Sequence, residues 1–203
     1  MKKRIMTLAC VLFAFGAMAQ ESPKIEFGVS TGVTHYFNNP AMSVFEATEG
    51  EYLTAPINLH VGLLDNQGTM YGLRFGLTQA SLPNFGKERA DIYDLSLIGR
   101  RYLPVAGKLE SVLGMNLGVS FLNNSFDWAG NNYSRSRVGL FLNFELGLVF
   151  RFSNSTYLGL VGSVTPVGSA LDKDLDLSTF PYAETSRKML NNCSLMLNFG
   201  FTF

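Results

Sequence analysis

The chain has 203 residues, of which 47% are hydrophobic, and its 16 basic residues balance its 16 acidic residues. It contains no run of eighteen or more apolar residues, which excludes a membrane protein built from spanning helices. The even charge balance gives no indication of a nucleic-acid partner, and the length fits a single domain.

The amino-terminal segment has the three parts of a secretory signal peptide. Residues 2–4 are basic, residues 5–15 are apolar, and Ala17-Met18-Ala19 provides a small-residue cleavage site. We predict a signal peptide over residues 1–19, removed before Gln20, and one domain over residues 20–203. Loss of its three basic residues leaves a net charge of 13 − 16 = −3 on the mature chain.

The two cysteines fall on either side of this predicted cleavage site. Cys10 leaves with the signal peptide and Cys193 remains alone, so no intramolecular disulfide is expected, although an exported protein could form one. A lipoprotein site at Cys10 is disfavoured, because Thr7 stands three residues before it, where such sites resemble one another in having leucine.

The rest of the chain alternates apolar and polar residues with the period of a half-buried strand. The segments are 24–37, 51–64, 69–79, 91–104, 109–122, 137–152, 156–166 and 189–203. Connections at 65–68, 104–108 and 153–155 are short, whereas those near 38–50, 80–90, 123–136 and 167–188 are long and polar. This pattern predicts an all-β fold, an eight-stranded antiparallel up-and-down transmembrane β-barrel. A soluble sandwich is the alternative, but Greek-key connections would be expected for it.

The last predicted strand carries an apolar stripe that ends at the final residue. The stripe also resembles the carboxyl-terminal signal by which the assembly machinery recognises outer-membrane β-barrel proteins. The resemblance implies a recognition stripe of Leu195, Leu197, Phe199, Phe201 and Phe203.

Strand parity predicts which charged side chains point into the barrel. A charge that faces lipid near the bilayer midplane costs about 2–4 kcal/mol, whereas a charge in the interior can find a partner. The charged or titratable side chains assigned to the interior are Glu26, His60, Arg74, Asp94, Arg100, Glu110, Glu145 and Arg151. Arg101 is the exception, and it lies near a strand end, where its side chain can reach the membrane interface.

An eight-stranded barrel is just wide enough inside for side chains to fill it. Inward glycines such as Gly28, Gly76 and Gly114 make room for the large charged groups. We therefore predict a luminal network of ion pairs and hydrogen bonds, because buried charges persist when they are paired. Inward apolar residues give a competing hypothesis, an apolar channel for small hydrophobic solutes; these are Ile98, Val112, Phe141 and Val149.

Aromatic residues concentrate near the predicted strand ends, as in the girdles of membrane barrels. Those near the short turns are Phe27, Tyr71, Phe150, Phe152, Tyr157 and Phe203; those near the long loops are Phe37, Tyr52, Tyr93 and Phe121.

The long connections are the predicted binding surface, because loops on a rigid scaffold commonly carry function. In the third of them the candidates are Phe126, Trp128 and Tyr133, and in the fourth Asp172, Asp174 and Asp176. The acidic run lacks the later glycine and glutamate of a calcium loop, so no metal or other cofactor is predicted.

Enzymatic activity is the rival hypothesis. Some small barrels modify lipid A with a histidine, a serine and an acid at the rim, and His35 with Ser43 would be the candidate pair here. The His-x-Ser spacing of the deacylases is absent, since Phe37 follows two residues after His35 and Gly62 follows two after His60. The expectation is a protein that is not an enzyme.

Over its whole mature length, the chain resembles the small eight-stranded outer-membrane β-barrel superfamily, including the barrels labelled PorT-like. The resemblance implies an outer-membrane address, contact with membrane lipid and lipopolysaccharide, and assembly by the outer-membrane machinery. An even strand count places both mature termini in the periplasm. The implied roles are structural support or surface binding, in which case an extracellular or envelope protein is the expected partner, or else solute passage or lipid hydrolysis.

Overall fold

The computed structural model describes residues 23–36, 52–82, 88–128, 131–170 and 191–203. Their strands are β1 (Lys24–Tyr36), β2 (Tyr52–Thr54), β3 (Ile57–Leu64), β4 (Thr69–Leu82), β5 (Glu88–Ala106), β6 (Leu109–Trp128), β7 (Asn131–Ser153), β8 (Thr156–Ala170) and β9 (Asn192–Thr202). Within these ranges there is no helix long and apolar enough to cross a membrane.

The strands form one antiparallel sheet that closes on itself. From β3 to β9 each strand pairs with its neighbours along the chain, and β1 pairs with β9 from Glu26↔Thr202 to Tyr36↔Asn192. Both β2 and β3 pair with β1, so they are two parts of one barrel strand, interrupted where Pro56 has no N–H to donate. The predicted eight-stranded antiparallel up-and-down barrel is therefore confirmed.

Short turns join the strands at one end of the barrel. The turn after β3 is held by the Asp65 carboxylate, which accepts hydrogen bonds from the backbone N–H groups of Gln67, at 2.9 Å, and Thr69, at 2.7 Å. Gly68 and Gly107 have φ values of 80° and 56°, which an L side chain rarely adopts. Local turn chemistry thus fixes the register of two hairpins.

At the opposite, long-loop end, the strands run further than predicted. β4 continues to Leu82, and β6 pairs with β7 as far as Trp128↔Asn131. Most of the predicted loop over 123–136 is thus a hairpin, and the prediction there was wrong. Asn, Ser and Asp residues suggested a loop, but polar residues also suit a ladder that lies outside the apolar zone.

The barrel is apolar outside and polar inside. Large apolar side chains at alternate positions of β1 and β3–β9, from Ile25 to Phe203, are at least one-third exposed, and we call this surface the outer apolar belt. Along β3 the pattern is complete, with Ile57, Leu59, Val61 and Leu63 exposed and the residues between them buried. A water-soluble protein rarely exposes so large an apolar surface, whereas a transmembrane barrel requires one.

The carboxyl-terminal stripe lies on this outer face. Leu195, Leu197, Phe199, Phe201 and Phe203 are all exposed. Phe203 also continues the ladder by exchanging two backbone hydrogen bonds with Ile25, of 2.8 and 3.1 Å. The last residue of the chain thus helps to close the barrel.

Candidate functional site in the barrel lumen

The lumen, the space enclosed by the eight barrel strands, receives the side chains predicted to point inward. Glu26, His60, Arg100 and Glu145 are buried there, and the side chains of Arg74, Arg151 and Glu110 are 16%, 18% and 21% exposed. Arg101, the predicted exception, lies near the short turns, where its guanidinium donates to the hydroxyl of Thr69.

Glu26 is the centre of a cluster near the short-turn end. Its Oε1 accepts hydrogen bonds from the hydroxyls of Tyr102, at 2.5 Å, and Tyr157, at 2.9 Å. The Nε2 atom of His60 is 3.4 Å from the same oxygen and 3.2 Å from the Tyr157 hydroxyl. Glu26 is fully buried, and these groups compensate the loss of water at Oε1, whereas Oε2 has no hydrogen-bond partner among the described residues.

Glu145 is the centre of a second cluster, nearer the middle of the barrel. Its carboxylate accepts from Arg100 Nε at 2.7 Å, from Asn116 Nδ2 at 2.8 Å and from Arg74 at 3.3 Å. The two clusters meet where an Arg100 terminal nitrogen lies 3.4 Å from His60 Nε2. Together they form one connected network across the lumen.

Glu110 and Asp94 lie toward opposite ends of the lumen. Glu110 accepts from Arg151 Nε at 2.7 Å, and the Arg151 guanidinium lies 5.1 Å from the ring centre of Tyr102. Asp94, toward the long-loop end, accepts a hydrogen bond from Ser120. Among the described residues, no ion pair joins Asp94 to the rest of the network.

Among the described residues, the charges on the inner face balance. Four acids, Glu26, Asp94, Glu110 and Glu145, face four arginines, because Arg137, 7% exposed, joins Arg74, Arg100 and Arg151 inside. The charge of these eight residues is thus 4 − 4 = 0. Balance of this kind limits the desolvation penalty for the four of them that are buried, Glu26, Arg100, Arg137 and Glu145.

Several luminal residues were missed in the sequence. Tyr157 was assigned to an outer aromatic girdle, but it is fully buried in the lumen, and that assignment was wrong. It shares parity with Gly159 and Val161, and this is the signal that could have placed it inside. The other luminal partners that the sequence analysis did not identify are Tyr102, Asn116 and Arg137.

Glycines in register with the large side chains let those chains cross a neighbouring strand. Gly200 pairs with Tyr157 on one side and Gly28 on the other. A Cβ atom on Gly200 would lie 2.3 Å from Tyr157 Cζ, and one on Gly28 would lie 2.2 Å from His60 Cε1. Because Gly200 and Gly28 have no side chains, Tyr157 and His60 can both reach Glu26.

We expect Gly200→Ala to lower the free energy of unfolding by about 1–3 kcal/mol, because the ring of Tyr157 is hydrogen-bonded and cannot shift freely. Gly162→Ala is the matched control, since the nearest atom to its added Cβ would be 3.6 Å away on the outer face. Urea unfolding of both variants in lipid vesicles measures the difference. Equal stabilities would contradict the close approach of Tyr157.

The inward apolar residues form a plug below the network. Ile98, Val112 and Val149 pack with four other buried side chains near the short-turn end: Leu64, Met70, Tyr102 and Tyr157. Phe141 lies apart from them, toward the long-loop end. The predicted apolar positions therefore line no common passage.

The candidate binding residues fall partly on the hairpin. Phe126 pairs with Tyr133, and Trp128 with Asn131, in the β6–β7 ladder. Asp172, Asp174 and Asp176 lie outside the described residues, as do Ser43, Phe37 and the predicted signal peptide.

His35 lies on the outer face near the long-loop end. It is opposite Leu53 on one side and Cys193 on the other. Its register neighbours are thus an aliphatic group and a thiol, not a serine and an acid. Within the described ranges, no cluster of three or more potential metal ligands is found.

Comparison with solved structures identifies the architecture. Neisserial surface protein A superposes with a TM-score of 0.57 at 10% identity, over 89% of this chain and 97% of that one. The chain has the fold of small outer-membrane barrels. Ail, the attachment invasion locus protein of Yersinia pestis, gives a TM-score of 0.53 at 14% identity, over 90% of this chain and all of that one.

A major outer membrane protein from Thermus thermophilus gives a TM-score of 0.51 at 10% identity, over 90% of this chain and all of that one. No protein-family model and no curated protein sequence matches the chain. At these identities the likeness is one of fold.

Proposed function

We propose that this protein is an integral outer-membrane barrel whose activity is surface binding at the long-loop end. The outer apolar belt and the likeness to outer-membrane barrels support the address. In this orientation the short turns and both mature termini face the periplasm, and the belt contacts lipid and lipopolysaccharide.

The β6–β7 hairpin is the observation that carries the binding role. Above the outward apolar residues Phe121 and Val138, the ladder continues from Leu122↔Arg137 to Trp128↔Asn131. The outward residues there, Asn123, Ser134 and Ser136, are polar and exposed. At about 3.4 Å per residue, these seven pairs extend roughly 20 Å along the strands past the belt. A paired hairpin that carries Phe126, Trp128 and Tyr133 near its end is a suitable platform for a protein partner.

The lumen supports a barrel without an open pore. The apolar plug and the Glu26 cluster occupy its short-turn end, and eight strands leave little width beyond side chains. Transport of hydrophobic solutes and lipid-A modification remain weaker hypotheses, because no observation in the lumen or at His35 favours either.

We also propose that the stripe from Leu195 to Phe203 is the recognition signal for outer-membrane assembly. Its five side chains lie on the outer face, along β9 and at Phe203 after it, where the assembly machinery can contact them before lipid does. Phe203→Ala keeps both backbone hydrogen bonds to Ile25, so it should lower the folded fraction in cells while in vitro refolding into vesicles changes little. Membership of the PorT-like group stays a prediction.

Shortening the hairpin tests the binding role. Joining Leu122 to Arg137 through an Asn-Gly turn removes the tip and leaves the belt and the network intact. Photo-crosslinkers at positions 126 and 133 should capture a partner on intact cells, and the shortened barrel, with crosslinkers at its new turn, should capture none. The matched control is a crosslinker at position 113 in the belt. Capture of the same partner from position 113, or none from 126 and 133, would overturn the proposal.

A further inference from the structure

Charged side chains on the outer face of β5 lie near both ends of that strand. At the long-loop end, Arg89 and Asp91 form an ion pair with a nitrogen–oxygen distance of 3.0 Å. At the short-turn end, the charged outward residue is Arg101. The outward positions between Asp91 and Arg101 are uncharged; they are Tyr93, Leu95, Leu97 and Gly99.

The spacing of these charges matches the height of a membrane-spanning apolar band. Asp91 and Arg101 are ten residues apart along β5. At about 3.3 Å per residue and a strand tilt of about 40°, the two residues are separated by roughly 25 Å along the barrel axis. The apolar band of outer-membrane barrels has about this height. Arg101 therefore lies at the headgroup level of the leaflet nearer the short turns.

The guanidinium of Arg101 has donors to spare and no counter-ion in the described part of the chain. One of its terminal nitrogens donates to the hydroxyl of Thr69, its register partner on β4. Asp65, in the adjoining turn, accepts from the backbone N–H groups of Gln67 and Thr69. Within the described strands and turns, no acid forms an ion pair with Arg101. A guanidinium carries several N–H donors, so an anion can still bind.

A notch in the outer apolar belt adjoins Arg101 on the side of the bilayer centre. Gly99, the next outward residue on β5, pairs with Tyr71 on β4 and Met115 on β6. These two side chains are 39% and 52% exposed. A Cβ atom on Gly99 would have Tyr71 Cδ1, 3.8 Å away, as its nearest neighbour. Since β4 and β6 lie roughly 10 Å apart across β5, an acyl chain has space between the two side chains.

We propose that Arg101 and this notch bind one phospholipid of the periplasmic leaflet. The lipid phosphate accepts charge-assisted hydrogen bonds from the Arg101 guanidinium. One acyl chain runs from the phosphate over Gly99, between Tyr71 and Met115, toward the bilayer centre. The charge selects a lipid with a phosphate, and the notch favours a lipid over a free phosphate ion. The site rests on the proposed membrane address, which places the short turns in the periplasm, and not on the role of the hairpin.

Solid-state magnetic resonance tests the contact between phosphate and guanidinium. The chain, with nitrogen-labelled arginine, is reconstituted in bilayers of phosphatidylethanolamine and phosphatidylglycerol. We expect lipid phosphorus to dephase a guanidinium signal that is lost in Arg101→Gln and kept in Arg89→Gln. Arg89 is the matched control, because it lies on the same strand and face but has Asp91 as its ion partner. No dephased signal in the natural chain, the same signals in Arg101→Gln, or an equal loss in Arg89→Gln would overturn the proposal.

Bilayers without phosphate distinguish a lipid headgroup from a free ion. In digalactosyl diacylglycerol, with inorganic phosphate in the buffer, we expect no dephasing at Arg101. Dephasing there would show that the free ion is sufficient and would overturn the lipid site. A chain that enters both bilayers without an Arg101 signal overturns the lipid site alone. A chain that enters neither bilayer contradicts the membrane address as well.

Filling the notch tests the path of the acyl chain. Native mass spectrometry of the barrel extracted from phospholipid bilayers measures the lipid that stays bound. Arg101→Gln should weaken this retention about tenfold or more, and Gly99→Leu about threefold or more. Gly162→Leu is the control, because Gly162 is also an open outward position but lies between Leu146 and Leu195. Equal retention in the two leucine variants would overturn the proposed notch. Gel mobility before and after heating confirms that each variant is folded.

Discussion

Replacing Glu145 with leucine should lower the free energy of unfolding by about 3–5 kcal/mol, because it leaves buried arginine charge without its counter-ion. Arg100 has a side-chain exposure of 4% and donates to Glu145 at 2.7 Å, so water cannot replace the lost carboxylate. Asn116 loses an acceptor as well. Urea unfolding in vesicles, followed by circular dichroism, measures the effect.

Glu110→Leu is the control for this prediction. Glu110 and Arg151 form an ion pair of the same length, 2.7 Å, but their side chains are 21% and 18% exposed near the short turns. Water can approach both groups there, so we expect a loss of about 1 kcal/mol or less. Similar losses at Glu145 and Glu110 would contradict the view that burial makes the Glu145 cluster energetically dominant.

The double variant Glu145→Leu with Arg100→Met distinguishes the effect of an unpaired buried charge on stability from the effect of altered packing. Removing both partners of a buried pair is often nearly neutral, because no uncompensated charge remains between them. Most of the stability lost in Glu145→Leu should therefore return. Arg74, at 16% exposure, still has access to a small polar cavity that it lines. No recovery would indicate that packing, not charge, explains the single variant.

Strand parity assigned Glu26, Arg100 and Glu145 to the interior, and the structure places their side chains on the inner face. Side chains along a strand alternate between the two faces with a period of exactly two. Once one face is known to be buried, every second residue can therefore be assigned to it. Arg100 and Glu145 were placed inside for this reason. When the strands are tilted, parity does not give the position of a residue along the barrel axis. The sequence therefore could not show that Arg100 and Glu145 lie on either side of Gly114, which pairs with each of them.

Residue types that suit two environments account for the wrong assignments. Tyr157 fits an aromatic girdle by its place near a strand end, yet its hydroxyl is bound to Glu26 inside. Asn123 and Ser136 fit a loop by composition, yet they pair in the β6–β7 ladder. Strand pairing decided the second case, and composition alone does not contain it, whereas the parity of Tyr157 with Gly159 and Val161 was available in the sequence.

Replacing Leu97 with arginine should lower the free energy of unfolding in lipid by about 2–4 kcal/mol. Leu97 lies at the middle of β5, is 64% exposed, and has Leu73 and Leu117 as its register neighbours on the same face. A guanidinium there is held in the centre of the outer apolar belt and has no nearby polar group. Unfolding in lipid vesicles gives the difference from the natural chain.

Leu103→Arg supplies the same substitution on the same strand and face at a different depth. Arg101 already places a guanidinium at that level, bound to Thr69, so we expect a loss of about 0–1 kcal/mol. The contrast between the two sites depends on hydrocarbon, because water would solvate either arginine equally well. Equal stabilities of the two variants, together with a barrel that stays monodisperse without detergent, would show that the belt does not face lipid.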